Sequence, residues 1–303
     1  FMYYFVLIKR FCKAFVNLNK KFFIIVLFFI QLEPTLSGPL NSNKLETKSV
    51  VIGHLYRIMR HDPNILEILF EKIKKINPDF VFILGDSELQ NSTVVTKWRA
   101  AFGNKVYFSP GNHEITNGNL DKFSKSVGYT EKIIETPNTL FLLGNSNSNA
   151  KKLIKFIEKS SKKSINKSTI LLLHHRIWDD TLTSAKPFEH DKSYYLKEIF
   201  PTLDKYIDII IAGNSKHQYF YDSFSLQGKQ NMNNIFWVDR IGEISAYSVG
   251  TGMGRPKLGF IELIYNKDHP AIVIPHHVNT DKQIIDPIPI EFQKKAYGSI
   301  TPG

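Results

Sequence analysis

Polar residues able to do acid–base or metal chemistry recur where predicted strands end. A lone Asp after Gly85 is ordinarily a turn residue, and paired histidines are often structural. Ligands of α/β domains, however, collect beyond the carboxyl ends of the strands. Recurrence at five strand ends therefore predicts one shared site, whose candidates are His54, Asp86, Asn112 with His113, His174 with His175, and Asn214 with His217.

The residue types at these strand ends indicate the chemistry. A carboxylate, an amide oxygen and an imidazole together form a ligand set suited to Mn, Fe or Zn. Water on such an ion has its pKa lowered toward about 7, and the ion also neutralises charge on a phosphoryl oxygen. A further histidine that does not ligate the ion can act as a general acid.

Four stretches of this chain, read together, resemble the calcineurin-like metallophosphoesterase family: "LGDSE", "SPGNHEI", "LLLHHRIW" and "IAGNSKHQYF". The family pattern is D-x-H, G-D-x-x-D, G-N-H-[DE], a strand-final His and G-H-x-H. The resemblance spans roughly residues 48 to 265. It implies an α/β, four-layer sandwich of two mixed β-sheets flanked by helices, in agreement with the element order below.

The resemblance also implies roles for individual residues. Asp86 matches the carboxylate that bridges two metals, and Asn112 and His174 match ligands of the second metal. His175 is the alternative to His174 and otherwise a substrate-binding residue. His113 matches the residue that protonates the leaving group or steadies the phosphate.

Two motifs depart from the family pattern. His54-Leu55-Tyr56 stands in place of D-x-H, and the segment from Gly213 to Lys216, GNSK, stands in place of G-H-x-H. The ammonium of Lys216 cannot ligate a metal, although it could occupy the charge position of a missing ion. His54 and Asn214 remain weaker metal-ligand candidates, whereas Lys216 and Trp178 are predicted to bind substrate. We therefore expect one ion of Mn, Fe or Zn rather than two.

Helical and strand patterns alternate through the first part of the chain. Helices are predicted in "DPNILEILFEKIKKI", "NSTVVTKWRAAFG", "NAKKLIKFIEKSSKK" and "SYYLKEIFPTLDKY", between buried strands such as "PDFVFILGD" and "STILLLHH". Beyond about residue 218 only strand patterns follow. This order predicts an α/β layered domain completed by a mostly antiparallel sheet. We place that domain at residues 46–280, with a leader and linker at 1–45 and a C-terminal tail at 281–303.

The N-terminal segment has the layout of a secretory signal peptide. Lys20 and Lys21 precede an apolar block from Phe22 to Ile30, and small residues follow near residue 37. An uncleaved membrane anchor is the alternative, so the protein is expected to be exported or membrane-anchored and to face outside the cytoplasm. With a single cysteine, Cys12, the chain has no disulfide framework.

The composition bears on partners. A formal charge of +11 suggests nucleic acid, but no named recognition motif accompanies the scattered lysines. The predicted partner is instead a phosphorylated small molecule or a glycan phosphate, with membrane tethering possible and the oligomeric state open.

Two functions fit these observations. The first is hydrolysis of a phosphate mono- or diester by metal-bound hydroxide. The alternative is a degenerate, catalytically weak or inactive member that binds a phosphorylated or glycan ligand at the cell envelope. A G-D-S esterase with Ser87 as nucleophile is disfavoured, because the sequence contains no D-x-x-H segment to complete its triad.

Overall fold

The computed structural model describes residues 46–56, 59, 64–162, 167–177, 192–213, 236–241, 244–249, 259–266, 269–277 and 288–289. The predicted leader lies outside these residues, and so do Trp178, Asn214, Lys216 and His217. Within the described ranges, no helix has both the length and the apolar composition needed to cross a membrane.

The first sheet is built around the N-terminal strand of the domain. It has six strands in the order β12-β11-β10-β1-β2-β3. β1 is parallel to β2, which is parallel to β3, while β10 is antiparallel to β1. Their bounds are β1 Glu46–Ile52, β2 Phe80–Leu84, β3 Val106–Ser109, β10 Gly259–Asn266, β11 His269–His277 and β12 Ile288–Pro289.

The second sheet also has six strands, in the order β4-β5-β6-β7-β9-β8. β5, β6, β7 and β9 run parallel, and antiparallel β4 and β8 close the two edges. Their bounds are β4 Lys132–Glu135, β5 Thr139–Leu143, β6 Ser168–Leu173, β7 Ile209–Ala212, β8 Phe236–Ile241 and β9 Ile244–Val249.

Five α-helices lie among the described residues: α1 Ile65–Ile76, α2 Ser92–Phe102, α3 Asp121–Val127, α4 Ala150–Ser161 and α5 Lys192–Tyr206. The buried faces of α1, α2 and α3 pack on the first sheet, and those of α4 and α5 pack on the second. A third apolar cluster fills the space between the sheets. The predicted four-layer α/β sandwich of two mixed sheets flanked by helices is therefore confirmed.

β2 shows why the layers stack in this way. Side chains alternate across a strand, and its sequence FVFIL is apolar at every position, so both of its faces must be covered. Phe80 and Phe82 enter the core between the sheets, whereas Val81 and Ile83 face the helices. A central strand buried on both faces is thereby held rigidly, and so is the residue that follows it.

One supersecondary unit is not among the predicted elements. α3 and the β4–β5 hairpin occupy residues 121–143, between the third and fourth predicted site strands. The five site strands are thus not consecutive along the chain. The sequence signal of this hairpin is "KIIETPNTLFLL", two short apolar runs around a Thr-Pro-Asn turn.

Candidate active site

The predicted polar residues follow strands that run parallel within each sheet, so their carboxyl ends gather at one edge. Glycines allow these ends to meet across the two sheets. A Cβ on Gly85 would lie 2.7 Å from Nδ1 of His174, and one on Gly53 would overlap the backbone of Gly213. Gly85 also has a φ of +70°, a conformation that a side chain would strain. Sheet contact at the site therefore depends on the absence of side chains at these positions.

Asp86 lies at the centre of the site and is buried. Its Oδ2 is 3.3 Å from Nε2 of His174, 3.5 Å from Nε2 of His54 and 3.8 Å from Nε2 of His113. Both Asp86 and His54 adopt positive φ angles, of 47° and 58°. Such conformations are costly for residues other than glycine and tend to occur at functional sites. The structure thus brings three of the predicted histidines together around the Asp86 carboxylate.

The orientation of the His174 ring is fixed by its backbone contact. Its Nδ1 lies 2.9 Å from the carbonyl oxygen of Leu84, which can only accept a hydrogen bond, so Nδ1 carries a proton. Nε2 is buried and has no hydrogen-bond partner, although it faces Asp86 Oδ2. In a neutral ring this places a lone pair against a carboxylate oxygen. A proton or a metal ion is needed between the two atoms.

The electrostatics of the metal-free pair agree with that geometry. Burial would raise the pKa of Asp86, but the positive charges of His174, His54 and His113 outweigh it and hold the pKa well below its ordinary value. Burial would likewise lower the pKa of His174, yet the Asp86 carboxylate raises it above the ordinary value. A positive centre next to Asp86 is therefore favoured in the folded chain.

Asn112 belongs to a second, adjoining chain of contacts. Its Oδ1 lies 3.1 Å from Nε2 of His175, whose Nδ1 is 2.9 Å from Oγ of Ser146. The same hydroxyl accepts the backbone N–H of His175 at 3.0 Å. The two strand-final histidines thus have different contacts, since His174 faces Asp86 and His175 orients the amide of Asn112. Ser146, in the loop that follows β5, is absent from the predicted site because no motif marks it.

His113 is the most exposed member of the cluster, with 44% of its side chain accessible. Its backbone N–H donates to Oδ1 of Asp86 at 2.9 Å. Its ring stacks on Tyr56, with centroids 4.1 Å apart and 25° between the planes. This position suits a residue that exchanges a proton with a ligand entering from solvent.

Glu114 is a further site residue, and its role is not evident from the sequence. It is fully buried, and its two oxygens accept the backbone N–H groups of Asp86, Ser87, Leu89 and Gly111 at 2.7 to 3.2 Å. The carboxylate therefore ties the β2 loop to the β3 loop. Burial and the nearby Asp86 charge raise its pKa. The available signal is the fourth letter of G-N-H-E.

The fit to a metal ion is partial. Within the described ranges, no group of three or more His, Cys, Asp or Glu side chains is arranged to hold an ion. The facing pair of Asp86 and His174 does suit a cation, and a carbonyl on the far ring nitrogen is the usual support of a metal-ligating histidine. Asn112 would supply an amide oxygen. The facing pair offers two of the ligands that one ion would need, whereas His54 and Tyr56 do not reproduce the carboxylate and imidazole of a first-metal site.

Comparison with known proteins identifies the family. Residues 54–241 match the model of the calcineurin-like phosphoesterases, and the chain belongs to that family. Its members generally use divalent metals. A comparison with curated protein sequences finds no match for this chain.

Three solved structures resemble the chain at 12% sequence identity each. GAP50, the anchor in the inner membrane complex of Plasmodium, has a TM-score of 0.50, with 81% of this chain and 89% of that chain covered. The purple acid phosphatase PPD1 from yellow lupin (Lupinus luteus) seeds has a TM-score of 0.49, with 82% and 54% covered, so this chain spans about half its length. Yfce, a phosphoesterase from E. coli, has a TM-score of 0.40, with 80% and 100% covered.

Proposed function

We propose that this chain hydrolyses a phosphate monoester or diester with one divalent ion, Mn, Fe or Zn, held by Asp86, Asn112 and His174. The observation that carries the proposal is the facing pair of Asp86 Oδ2 and His174 Nε2, 3.3 Å apart and buried. Family membership supports phosphoester chemistry as the reaction class.

A bound ion would supply an activated water and neutralise charge on a phosphoryl oxygen. The protein groups then have separate tasks. Leu84 fixes the His174 ring through its carbonyl, and His175 fixes the Asn112 amide. His113, held to Asp86 by its backbone and open to solvent through its ring, would donate a proton to the leaving oxygen.

The residues at the first-metal position support the proposal of a single ion. The imidazole of His54 lies 3.5 Å from Asp86 Oδ2, and the Tyr56 ring is stacked on His113. Neither side chain offers a carboxylate that could hold a second cation next to the first. The predicted ligand Asn214 and the predicted substrate-binding residue Lys216 both lie outside the described residues.

The same contacts favour one alternative, a member that binds a phosphorylated or glycan ligand without cleaving it. His54, His113 and His174 surround Asp86 closely enough to neutralise it without an ion. Such a protein would still present the exposed ring of His113 to a phosphate. In either case we propose that the ligand is met outside the cytoplasm, on the strength of the predicted leader.

Elemental analysis together with one substitution tests the hydrolase. Purified full-length chain is expected to carry close to one equivalent of Mn, Fe or Zn and to release phosphate or nitrophenol from generic nitrophenyl esters. Asp86→Asn removes the central charge and is expected to abolish both metal binding and turnover. Asp204→Asn, an exposed change on α5, is the matched control and should alter neither.

The outcomes separate the two functions. If Asp86→Asn retains turnover, the hydrolase proposal is wrong. A chain that binds phosphate, shows no turnover with any of the three metals and contains none of them is the binding protein.

A further inference from the structure

A cavity of about 600 Å³ lies next to the loop that carries Asn112 and His113. Its walls include Ile115 and Asn147 on the site side and Lys152, Lys155 and Phe156 on the helix α4 side. Ligand pockets for small molecules typically have volumes of roughly 300 to 1,000 Å³, so this one can hold a sugar-sized or nucleotide-sized group. Neither the family motifs nor the Asp86 cluster makes use of it.

The cavity is predominantly cationic. Lys152, Lys155 and Lys159 all line it, and Glu131 is the single carboxylate among its lining residues. Glu131 lies close enough to Lys152 to interact with it electrostatically. Lys155 and Lys159 are then the two cations best placed to receive an anion from outside.

The three lysines share one face of α4 because they are three and four residues apart. Like charges at this spacing destabilise a helix, and a bound anion would relieve that repulsion. The opposite face, with Leu153 and Ile157, is buried against the second sheet. The backbone of α4 is therefore held in place, and so are the positions from which its lysine side chains extend toward a ligand.

The cavity and the site share structure. The Nδ2 of Asn147, a lining residue, donates to the carbonyls of Pro110 and Gly111, directly before Asn112. Ile115 follows Asn112 by three residues of a 3₁₀ turn, and a rise of about 2 Å per residue puts them roughly 6 Å apart along its axis. A small substrate reacting at Asp86 and His113 could therefore extend into the cavity.

We propose that this lysine-lined cavity binds a second phosphate of the substrate. This proposal rests on the proposed hydrolase function. The substrate class is then a small organic bisphosphate, with one ester at the Asp86 centre and the other phosphate against Lys155 and Lys159. Lysine suits this role as a compact point charge with three donors, and lysines are recurrent phosphate ligands.

A matched pair of esters tests the cavity, namely fructose 6-phosphate and fructose 1,6-bisphosphate. Their dissociation constants are measured by calorimetry on full-length chain in Mn²⁺, and phosphate release is measured in parallel. The test variant is Lys155→Gln/Lys159→Gln. The matched control is Lys151→Gln/Lys162→Gln, two exposed lysines of the same helix and its C-cap that do not line the cavity.

We expect native chain to bind the bisphosphate at least about tenfold more tightly than the monophosphate, as one extra charged hydrogen-bonding group warrants. The test variant should lose about fivefold or more of that preference, and the control variant should keep it. The preference should also weaken as salt is raised from 0.05 to about 0.3 M, because exposed charges are screened.

Equal binding of the two esters by native chain, or an equal loss in the two variants, overturns the cavity proposal. The hydrolase proposal is judged separately by phosphate release. If the chain prefers the bisphosphate but releases no phosphate, the cavity proposal is supported and the hydrolase proposal is wrong. If the chain cleaves both esters equally well and shows no binding preference, the hydrolase proposal is supported and the cavity proposal is wrong.

Discussion

The rings of Tyr56 and His113 stack with their centroids 4.1 Å apart, so the residue at the last position of the altered first motif supports the proposed general acid. In the family pattern that position holds a metal-ligating histidine. Here its side chain contacts a catalytic candidate instead. We therefore infer that Tyr56 acts on the site by positioning the His113 ring.

The stack predicts an ordered loss of activity on substitution. Tyr56→Phe keeps the ring and should leave turnover of a nitrophenyl phosphoester within about twofold. Tyr56→Ala removes an aromatic contact worth about 0.5 to 1.5 kcal/mol and should lower turnover by roughly two- to tenfold. Loss of the imidazole in His113→Gln should cost about 10² to 10⁴ in turnover.

The alkaline limb of the pH–rate profile distinguishes positioning from simple damage. If Tyr56 positions His113, the limb should move in Tyr56→Ala and stay in place in Tyr56→Phe. The Tyr56 proposal does not survive if Phe and Ala behave alike.

Glu114 predicts a stability effect without any ligand. In Glu114→Gln one acceptor oxygen becomes an NH₂ group directed at backbone N–H donors that the carboxylate now satisfies. Each buried donor left unpaired costs about 1 to 3 kcal/mol. We expect the free energy of unfolding to fall by about 2 to 4 kcal/mol in urea titrations.

Glu158→Gln is the comparison for this substitution, because it makes the same chemical change on an exposed side chain of α4. Its effect should be within about 0.5 kcal/mol. Equal effects of the two changes would mean that Glu114 does not hold the loops together.

Ser146 predicts a selective defect at Asn112. Ser146→Ala deletes the hydroxyl that contacts Nδ1 of His175 and leaves that buried ring nitrogen without its partner. The same hydroxyl accepts the backbone N–H of His175, so two buried groups lose a partner and the cost in stability should be about 2 to 4 kcal/mol. The ring should then lose its preferred tautomer, which is visible as a change in its ¹⁵N chemical shifts in an NMR spectrum.

Ser148→Ala is the control for Ser146, since its hydroxyl donates to the Asn145 carbonyl in the same loop. It should leave the His175 shifts unchanged. Unaltered shifts in Ser146→Ala would remove Ser146 from the site.

The layered fold is readable from the sequence because its strands are apolar on both faces and its helices have strong apolar stripes. The gathering of Asp86, His113 and His174 is readable too, since parallel strands present their carboxyl ends at one edge. The site residues that escaped prediction are of another kind. Glu114 and Ser146 act on the backbone or on another side chain, and apart from Gly111 the partners named above lie 25 to 29 residues away along the chain.

The pairing of the histidines shows the same limit. Residue types alone leave His174 and His175 as alternatives for one role. Which histidine contacts Asp86 depends on the direction of each side chain after β6. Successive residues of an extended chain point to opposite sides. His174 reaches Asp86 in the first sheet, while His175 stays beside the β5 loop.

The Asp86–His174 pair predicts a bell-shaped pH dependence of stability in chain stripped of metal with a chelator. The folded pKa of Asp86 is below its ordinary 3.8, so its contribution is present above about pH 4 and is lost as the pH falls further. The folded pKa of His174 is above its ordinary 6.5, so its contribution is complete below about pH 6.5 and is lost as the pH rises. The free energy of unfolding, measured by urea titration, should therefore be greatest between about pH 4 and 6.5 and should decline above that range.

His174→Gln cannot gain a proton, and its curve should be flatter on the alkaline side. Excess Mn²⁺ should oppose the alkaline decline in the native chain, because an ion needs the neutral ring. A native curve that keeps rising between pH 7 and 8 without metal, or one that His174→Gln reproduces, would show that this pair does not carry the charge assigned to it.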